Sequence, residues 1–224
     1  GKHPALKKDL NDSDFIFLEC EKNNQTNLVL DMYFERIPNF FNKKNDKNTI
    51  QILSPMHKGE AGIKFLNQNI QSILTGKNEQ AFEKKDKSLQ LNIGDKVIQT
   101  SNNYDLMVMN GDIGVIEKKD NKKVIVSFDN REVTYSGLDL YDLDLAYAIS
   151  IHKSQGSEYS SVIIPINSDH IHMLSRNLLY TGITRGKKLV VLIGEIKIFK
   201  NAIDSFWKDT RYTNLVSALK MDLN

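Results

Sequence analysis

The chain has 224 residues, enough to bury a sizeable core in one domain or two. Its composition, 40% hydrophobic and 26% charged with a net charge of +2, is that of an ordinary soluble globular protein, so any nucleic-acid footprint must come from local basic clusters. The single Cys20 excludes an internal disulfide and a cysteine-based metal site, and no apolar run approaches the roughly 18–20 residues that cross a bilayer; with no signal peptide, a cytoplasmic protein that uses no membrane is the expectation.

Residues 1–14 are polar and lysine-rich and read as a tail or a linker. Residues 14–19 (DFIFLE) are a short apolar run bounded by acids, a predicted strand. Leu28, Leu30, Met32, Tyr33, Phe34 and Ile37 recur at helical spacing within 27–41, with Pro38 as the expected stop. A charged loop over 43–48 precedes a second strand, 49–53, which Ser54-Pro55 ends. After Gly59 an amphipathic helix is predicted, with Ile63, Leu66, Ile70, Ile73 and Leu74 on one face and Gly76 as its C-terminal cap. The loop between them holds Ser54, His57 and Lys58 at a sheet edge. His57 has no second ligand spaced to help it bind a metal. Lys58 reads either as a phosphate contact or as a solvated lysine.

From 91 to 140 the helical period disappears and turn signals crowd in, with Asn110-Gly111 as a hairpin turn. Five short strands are predicted, at 96–100, 105–109, 115–117, 124–128 and 132–135, which suggests a small antiparallel barrel inserted in an α/β domain. Such an insert would have its own core and be removable. Lys118, Lys119, Lys122 and Lys123 are either DNA-guiding groups or a solvated hairpin tip.

Two stretches of one design follow. Each reads as a helical run, then a polar loop, then a nearly unbroken apolar strand (162–166 and 189–193), the pattern of strands buried on both faces of a parallel sheet. Their polar loops therefore lie at the edge of an α/β layer, where such folds place ligand-binding groups. Two closing helices are predicted at 195–207 and 213–219; Trp207 is either a base-stacking residue or core.

The loops carry a specific resemblance. His152-Lys153-Ser154-Gln155-Gly156-Ser157-Glu158 resembles motif V of superfamily 1 helicases, and Tyr180-Thr181-Gly182-Ile183-Thr184-Arg185-Gly186 resembles their motif VI. The wording is most similar to RecD-like DNA helicases, as are Leu53-Ser54-Pro55-Met56-His57-Lys58-Gly59 and, with Asn102-Asn103-Tyr104, the run Gly94-Asp95-Lys96-Val97-Ile98-Gln99-Thr100. The resemblance implies an α/β fold: a RecA-like parallel-sheet domain of the P-loop NTPase type, in two parts (1–92 and 142–224), with an SH3-like β-barrel inserted at 93–141. It also implies an ATP-dependent DNA helicase that translocates 5′ to 3′ on single-stranded DNA. Arg185 is then the catalytic arginine finger, whose planar fork meets the transferring phosphoryl group. Gln155, Gly156 and Glu158 join it in binding the nucleotide, Glu158 at the ribose. Ser54, Lys58, Asn102, Asn103, His152, Lys153 and Ser154 face single-stranded DNA; taken alone, His152 reads equally as a structural hydrogen-bonding histidine.

No GxxxxGK[ST] stretch is present, and no apolar strand ends in Asp-Glu. The chain therefore reads as the C-terminal motor domain of a larger helicase. ATP and Mg²⁺ would be held mainly by an upstream Walker A domain of the same polypeptide, other recombination or repair subunits would be further partners, and the chain alone would be inactive. The alternatives are the helicase region of a conjugative relaxase and a helicase-derived nucleic-acid-binding module that is no longer a motor.

Overall fold

The computed structural model describes residue 10 and residues 13–42, 49–85, 89–129 and 131–204. Residues 1–9, the loop at 43–48, Trp207 and the second closing helix fall outside the described residues.

Five parallel strands form the main sheet. They are β1 (Phe15–Glu19), β2 (Ile50–Ser54), β10 (Ala148–Ser150), β11 (Tyr159–Ile166) and β12 (Gly186–Gly194), in the spatial order β1-β12-β11-β2-β10. The apolar runs at 162–166 and 189–193 are the two strands beside β1 and β2, and Val162, Ile163, Ile164, Val191, Leu192 and Ile193 are fully buried, as unbroken apolar strands require. Helices α1 (Lys22–Asp31) and α3 (Ile63–Leu74) join one core cluster with Ile52, Ile163 and Val191, while α4 (Arg176–Ile183) and α5 (Ile196–Asp204) join another with Leu53, Ile164 and Leu192.

Several helical expectations are corrected. The helix expected at 27–41 starts five residues earlier, because Gln25 is buried and an apolar period cannot reveal a polar anchor. Its amide donates to the carbonyls of Ile166 and Ile193 at 2.9 and 2.8 Å and accepts from Asn167 Nδ2 at 2.7 Å, tying the helix to the ends of β11 and β12. Pro38 does not stop the helix. A π-helical turn over Met32–Arg36 widens the backbone just ahead of it, and a last helical turn, α2 (Ile37–Phe40), carries the proline. On α3 the buried face is Leu66 and Ile70 with Ile63 and Leu74 beside them, whereas Ile73 is 59% exposed. Gly76 follows α3 without a positive φ; a Cβ there would lie 2.5 Å from the Ser72 carbonyl oxygen, so close approach is what requires glycine. The helical reading ahead of motif V fails as well. Residues 143–150 form two short strands, β9 (Leu143–Leu145) and β10, because Ala148–Ser150 pairs with β2 and the sheet overrides local propensity.

The inserted segment is an antiparallel sheet of β5 (Lys96–Gln99), β6 (Ile113–Asp120), β7 (Lys123–Phe128), β8 (Arg131–Ser136) and β9, in the order β8-β7-β6-β5-β9. No pairing closes it into a barrel among the described residues. A two-stranded ribbon, β3 (Gln80–Glu83) and β4 (Gln90–Asn92), precedes it. The strand predicted at 105–109 is instead a tight turn closed by a single bridge between Asn103 and Val108. The fifth strand is β9, beyond the expected boundary at 141. Asn110-Gly111 does not make a hairpin; the β6–β7 hairpin turns at Asn121-Lys122, where Asp120 pairs with Lys123 and Asn121 has φ 55°. Lys119 reaches back to the Gln80 carbonyl at 3.1 Å.

The insert does not have a core of its own. One cluster runs from Ile52, Leu66 and Ile70 of the α/β part into Val97, Ile116, Val126, Tyr135 and Leu143 of the antiparallel sheet. Asp95 pins this junction. Its fully buried carboxylate accepts hydrogen bonds from Gln71 Nε2 at 2.6 Å, Asn92 N at 2.7 Å and Tyr147 Oη at 2.9 Å, and from the Thr75 hydroxyl. The adjacent Lys96 donates to the Ile50 carbonyl at 3.2 Å, and burial pulls its ammonium down to about 8.

His170 gives the fold a pH dependence. It is 1% exposed, its Nδ1 accepts from the Asn167 N–H at 3.3 Å, and burial pulls its imidazole from 6.5 down to about 4. Between those values the unfolded chain binds more protons, so stability is fully present above about 6.5 and falls as pH drops toward about 4. The expected loss is about 3 kcal/mol across that window. Urea unfolding at several pH values checks it, and His170→Gln should flatten the slope.

Candidate functional site

The motif V residues leave the sheet at one edge and re-enter at the other. His152, Lys153 and Ser154 form a 3-10 turn directly after β10, beyond the carboxyl ends of the strands, while Ser157 and Glu158 immediately precede β11 at the amino ends. The eight residues between β10 and β11 therefore cross the sheet past β2, which lies between those strands. The predicted site is thereby divided in two.

At the amino edge, β11 and β12 are neighbours with Tyr159 paired to Gly186, which brings Ser157, Glu158 and Arg185 together. The Tyr159 N–H donates to the Arg185 carbonyl at 2.8 Å. The Arg185 guanidinium donates through Nη1 to the Ser157 carbonyl at 3.1 Å, through Nε to the Thr181 carbonyl at 3.2 Å, and through Nη2 to the Thr184 hydroxyl at 3.2 Å. Arg185 is thus half-buried and held by backbone of both motifs. Glu158 pairs with Lys187 at 3.0 Å, and this contact, with a smaller effect of Arg185, holds its carboxyl below the usual carboxylate range. Gly156 has φ +88°, a conformation that requires glycine, and nothing lies within 4 Å of where a Cβ would be. Gln155 is exposed. A cavity of about 760 Å³ opens beside Glu158 toward the antiparallel sheet, with Lys96, Asp112, Phe128, Arg131 and Tyr159 in its wall.

At the carboxyl edge, Lys58 and His152 are exposed and Lys153 is half-buried. The insert reaches this edge: a Cβ on Gly111 would lie 3.9 Å from the Lys153 carbonyl oxygen. Three residues expected to face DNA are turned inward instead. Ser54 is fully buried, donating to the Ala61 and Met56 carbonyls at 2.8 and 3.1 Å, so it shapes the loop that presents Lys58. Ser154 is fully buried and donates to the Ile151 carbonyl at 2.6 Å. Asn103 uses its amide within its own loop, accepting from Leu106 N and donating to Asp139 Oδ1, both at 3.0 Å. Small polar side chains beside a turn bond the local backbone first, which sequence alone does not separate from a ligand role. Asn102 is exposed, although its side-chain Oδ1 accepts from Asn110 N at 2.9 Å.

The residue that motif reading missed is Lys187. A signal existed: Lys187 is a cation at the start of β12, one residue past the motif VI string. Among the described residues, no group of three or more His, Cys, Asp or Glu side chains could hold a metal ion, so His57 and the acids near Arg185 lack companion ligands.

Residues 145–193 match the family of UvrD-like helicase C-terminal domains, and residues 66–128 match the SH3 domain of ATP-dependent RecD-like DNA helicases. The two matches cover the motif V and VI strands and most of the antiparallel insert. The chain combines a UvrD-like helicase C-terminal domain with a RecD-like SH3 domain. This chain is 32% identical over 164 residues to the ATP-dependent RecD2 DNA helicase of Deinococcus radiodurans, covering 73% of the chain and 22% of that protein. It is 32% identical over 162 residues to the RecBCD enzyme subunit RecD of Haemophilus influenzae, covering 70% of the chain and 23% of that protein. The chain thus spans about a quarter of the length of these relatives. Its fold is similar to that of Bacteroides Pif1 helicase in complex with ADP-AlF3 and single-stranded DNA, with TM-score 0.53, 17% identity, and 90% of this chain and 50% of that one covered. Bacteroides Pif1 bound to single-stranded DNA aligns with TM-score 0.52 at 19% identity, over 80% of this chain and 47% of that one.

Proposed function

We propose that this chain is the second motor domain of an ATP-dependent DNA helicase, with nucleotide at the amino edge of its sheet and single-stranded DNA at the carboxyl edge. The observation that carries this reading is the path of residues 151–158, one short peptide that joins Lys153 at one edge to Glu158 at the other. A movement imposed on that peptide by nucleotide would be felt directly where DNA is held. The relatives, a RecD2 DNA helicase and RecD subunits of RecBCD, agree with it.

In this reading Arg185 leaves the Ser157 carbonyl and turns its fork toward the γ-phosphate as the cleft between two motor domains closes. Glu158 accepts from the ribose hydroxyls, Gly156 lets the sugar approach the backbone, and Gln155 lies beside the phosphates. These groups fit a nucleotide. They do not form a metal site, so Mg²⁺ and the triphosphate would be held by a Walker A domain on the same polypeptide, and this chain alone would not turn over ATP. Bound ATP supplies the phosphoryl transfer itself; the residues here bind, orient and stabilise. At the other edge Lys58, His152, Lys153 and Asn102 meet the DNA backbone, with Ser54, Ser154 and Asn103 as their scaffold. Translocation runs 5′ to 3′, the protein works in the cytoplasm, and, as the RecBCD names suggest, other recombination subunits are partners. Among the described residues no helix is long and apolar enough to cross a membrane.

The test is DNA binding as a function of salt. Lys153→Ala should weaken single-stranded DNA binding about equally across sequences and reduce the slope of log K against log salt by roughly 0.7, the loss of one phosphate contact. Fluorescence anisotropy with two unrelated oligonucleotides measures both. An unchanged slope would remove Lys153 from the DNA interface.

A further inference from the structure

The two motifs are fastened to each other at the amino edge by three contacts, two of which run through residues just outside the motifs, Tyr159 and Lys187. Arg185 is bonded through its carbonyl to Tyr159 and through its guanidinium to Ser157. Lys187, at the start of β12, reaches Glu158 with Nζ to Oε2 at 3.0 Å. Among the described residues this ammonium is the one group that grips the Glu158 carboxylate. Glu158 otherwise sits at the end of a loop that turns at Gly156, with its side chain largely exposed. Nothing else there would keep a three-bond side chain in one rotamer.

We propose that Lys187 is a positioning residue that aims the Glu158 carboxylate at the nucleotide sugar, and so sets how strongly the enzyme distinguishes ribose from deoxyribose. The proposal rests on the reading that Glu158 meets the ribose. The pair is exposed on both sides, 60% for Lys187 and 56% for Glu158, so it adds little to folding stability. Its consequence is orientation. A carboxylate held in one place is ready to accept from two neighbouring hydroxyls without first losing rotamer freedom, and that advantage is realised only with a sugar that carries them. The ammonium also lowers the carboxyl's pKa, favouring the ionised form whose two oxygens are both free to accept. Lys188 is exposed too, but strand alternation turns it to the other face, and it serves as the control.

The experiment measures kcat/KM for ATP, 2′-deoxy-ATP and 3′-deoxy-ATP with single-stranded DNA present, on the full-length polypeptide that carries this chain. The wild type should prefer ATP, and Glu158→Gln should abolish most of that preference. Lys187→Met should reduce the preference by about tenfold, the scale of one weakened hydrogen bond to a charged group, chiefly through KM. Lys187→Arg should restore most of it, and Lys188→Met should match the wild type. Thermal unfolding of each variant should be unchanged. If Glu158→Gln abolishes the preference and Lys187→Met leaves it intact, the positioning role is overturned and the ribose reading survives. If Lys187→Met lowers kcat equally for all three nucleotides, the lysine acts elsewhere and the proposal is overturned. If Glu158→Gln itself leaves the preference intact, the ribose assignment fails and the proposal with it.

Discussion

Replacing Arg185 by alanine in the full-length protein should lower kcat for ATP by a factor on the order of 10³ or more, while nucleotide binding changes little. The guanidinium spends the resting state on the carbonyls of Ser157 and Thr181 and the Thr184 hydroxyl. As proposed, a contact to phosphate replaces the Ser157 bond as the cleft closes, so its benefit falls in the transition state and not in ground-state binding. Lysine at this position should not rescue, because a point charge cannot reproduce the planar fork. Steady-state phosphate release together with equilibrium binding of a fluorescent nucleotide separates the outcomes. A loss confined to KM would show that Arg185 is an ordinary binding group.

The second large effect is on stability. Asp95→Ala should destabilise the chain by about 3 kcal/mol or more, since it strands donors from Thr75, Gln71, Asn92 and Tyr147 in a buried site. Asp95→Asn should also destabilise, because an amide brings two further donors to a place where only acceptors are wanted. A fall in Tm of about 10 °C is the corresponding scale. The same junction governs excision of the insert. Replacing 95–139 with a Gly/Ser linker should give an insoluble or loosely packed protein, because it removes Val97, Ile116, Val126 and Tyr135 from a core they share with Ile52, Leu66 and Ile70. It would also deprive Leu143–Leu145 of its partner β5. Size-exclusion chromatography and near-UV circular dichroism of the excised chain check this, and a folded monomer would show that the insert is independent after all.

What could be read from the sequence was whatever depends on local order along the chain. Unbroken apolar runs identified β11 and β12 as buried parallel strands, because a strand covered on both faces has no polar side to show. The turn-rich composition after residue 91 identified an antiparallel segment. The strings around Gly156 and Arg185 gave the motifs, and the family matches agree with them. Periodicity failed where a polar side chain is buried for its hydrogen bonds, as at Gln25, and where neighbouring strands impose extended backbone on Ala148–Ser150.

Only the tertiary structure decided which polar groups face outward and which edge of the sheet each one serves. Ser54, Ser154 and Asn103 look like ligand groups in sequence, yet their bonds are spent on nearby backbone or on Asp139. Lys187 looks like surface charge, yet it holds Glu158. The shared core and the buried Asp95 junction were equally invisible, because both join segments far apart along the chain. Sequence determined the elements and the chemical groups; the pairing of distant strands determined which groups meet, since contact across a sheet follows from register and not from chain neighbourhood.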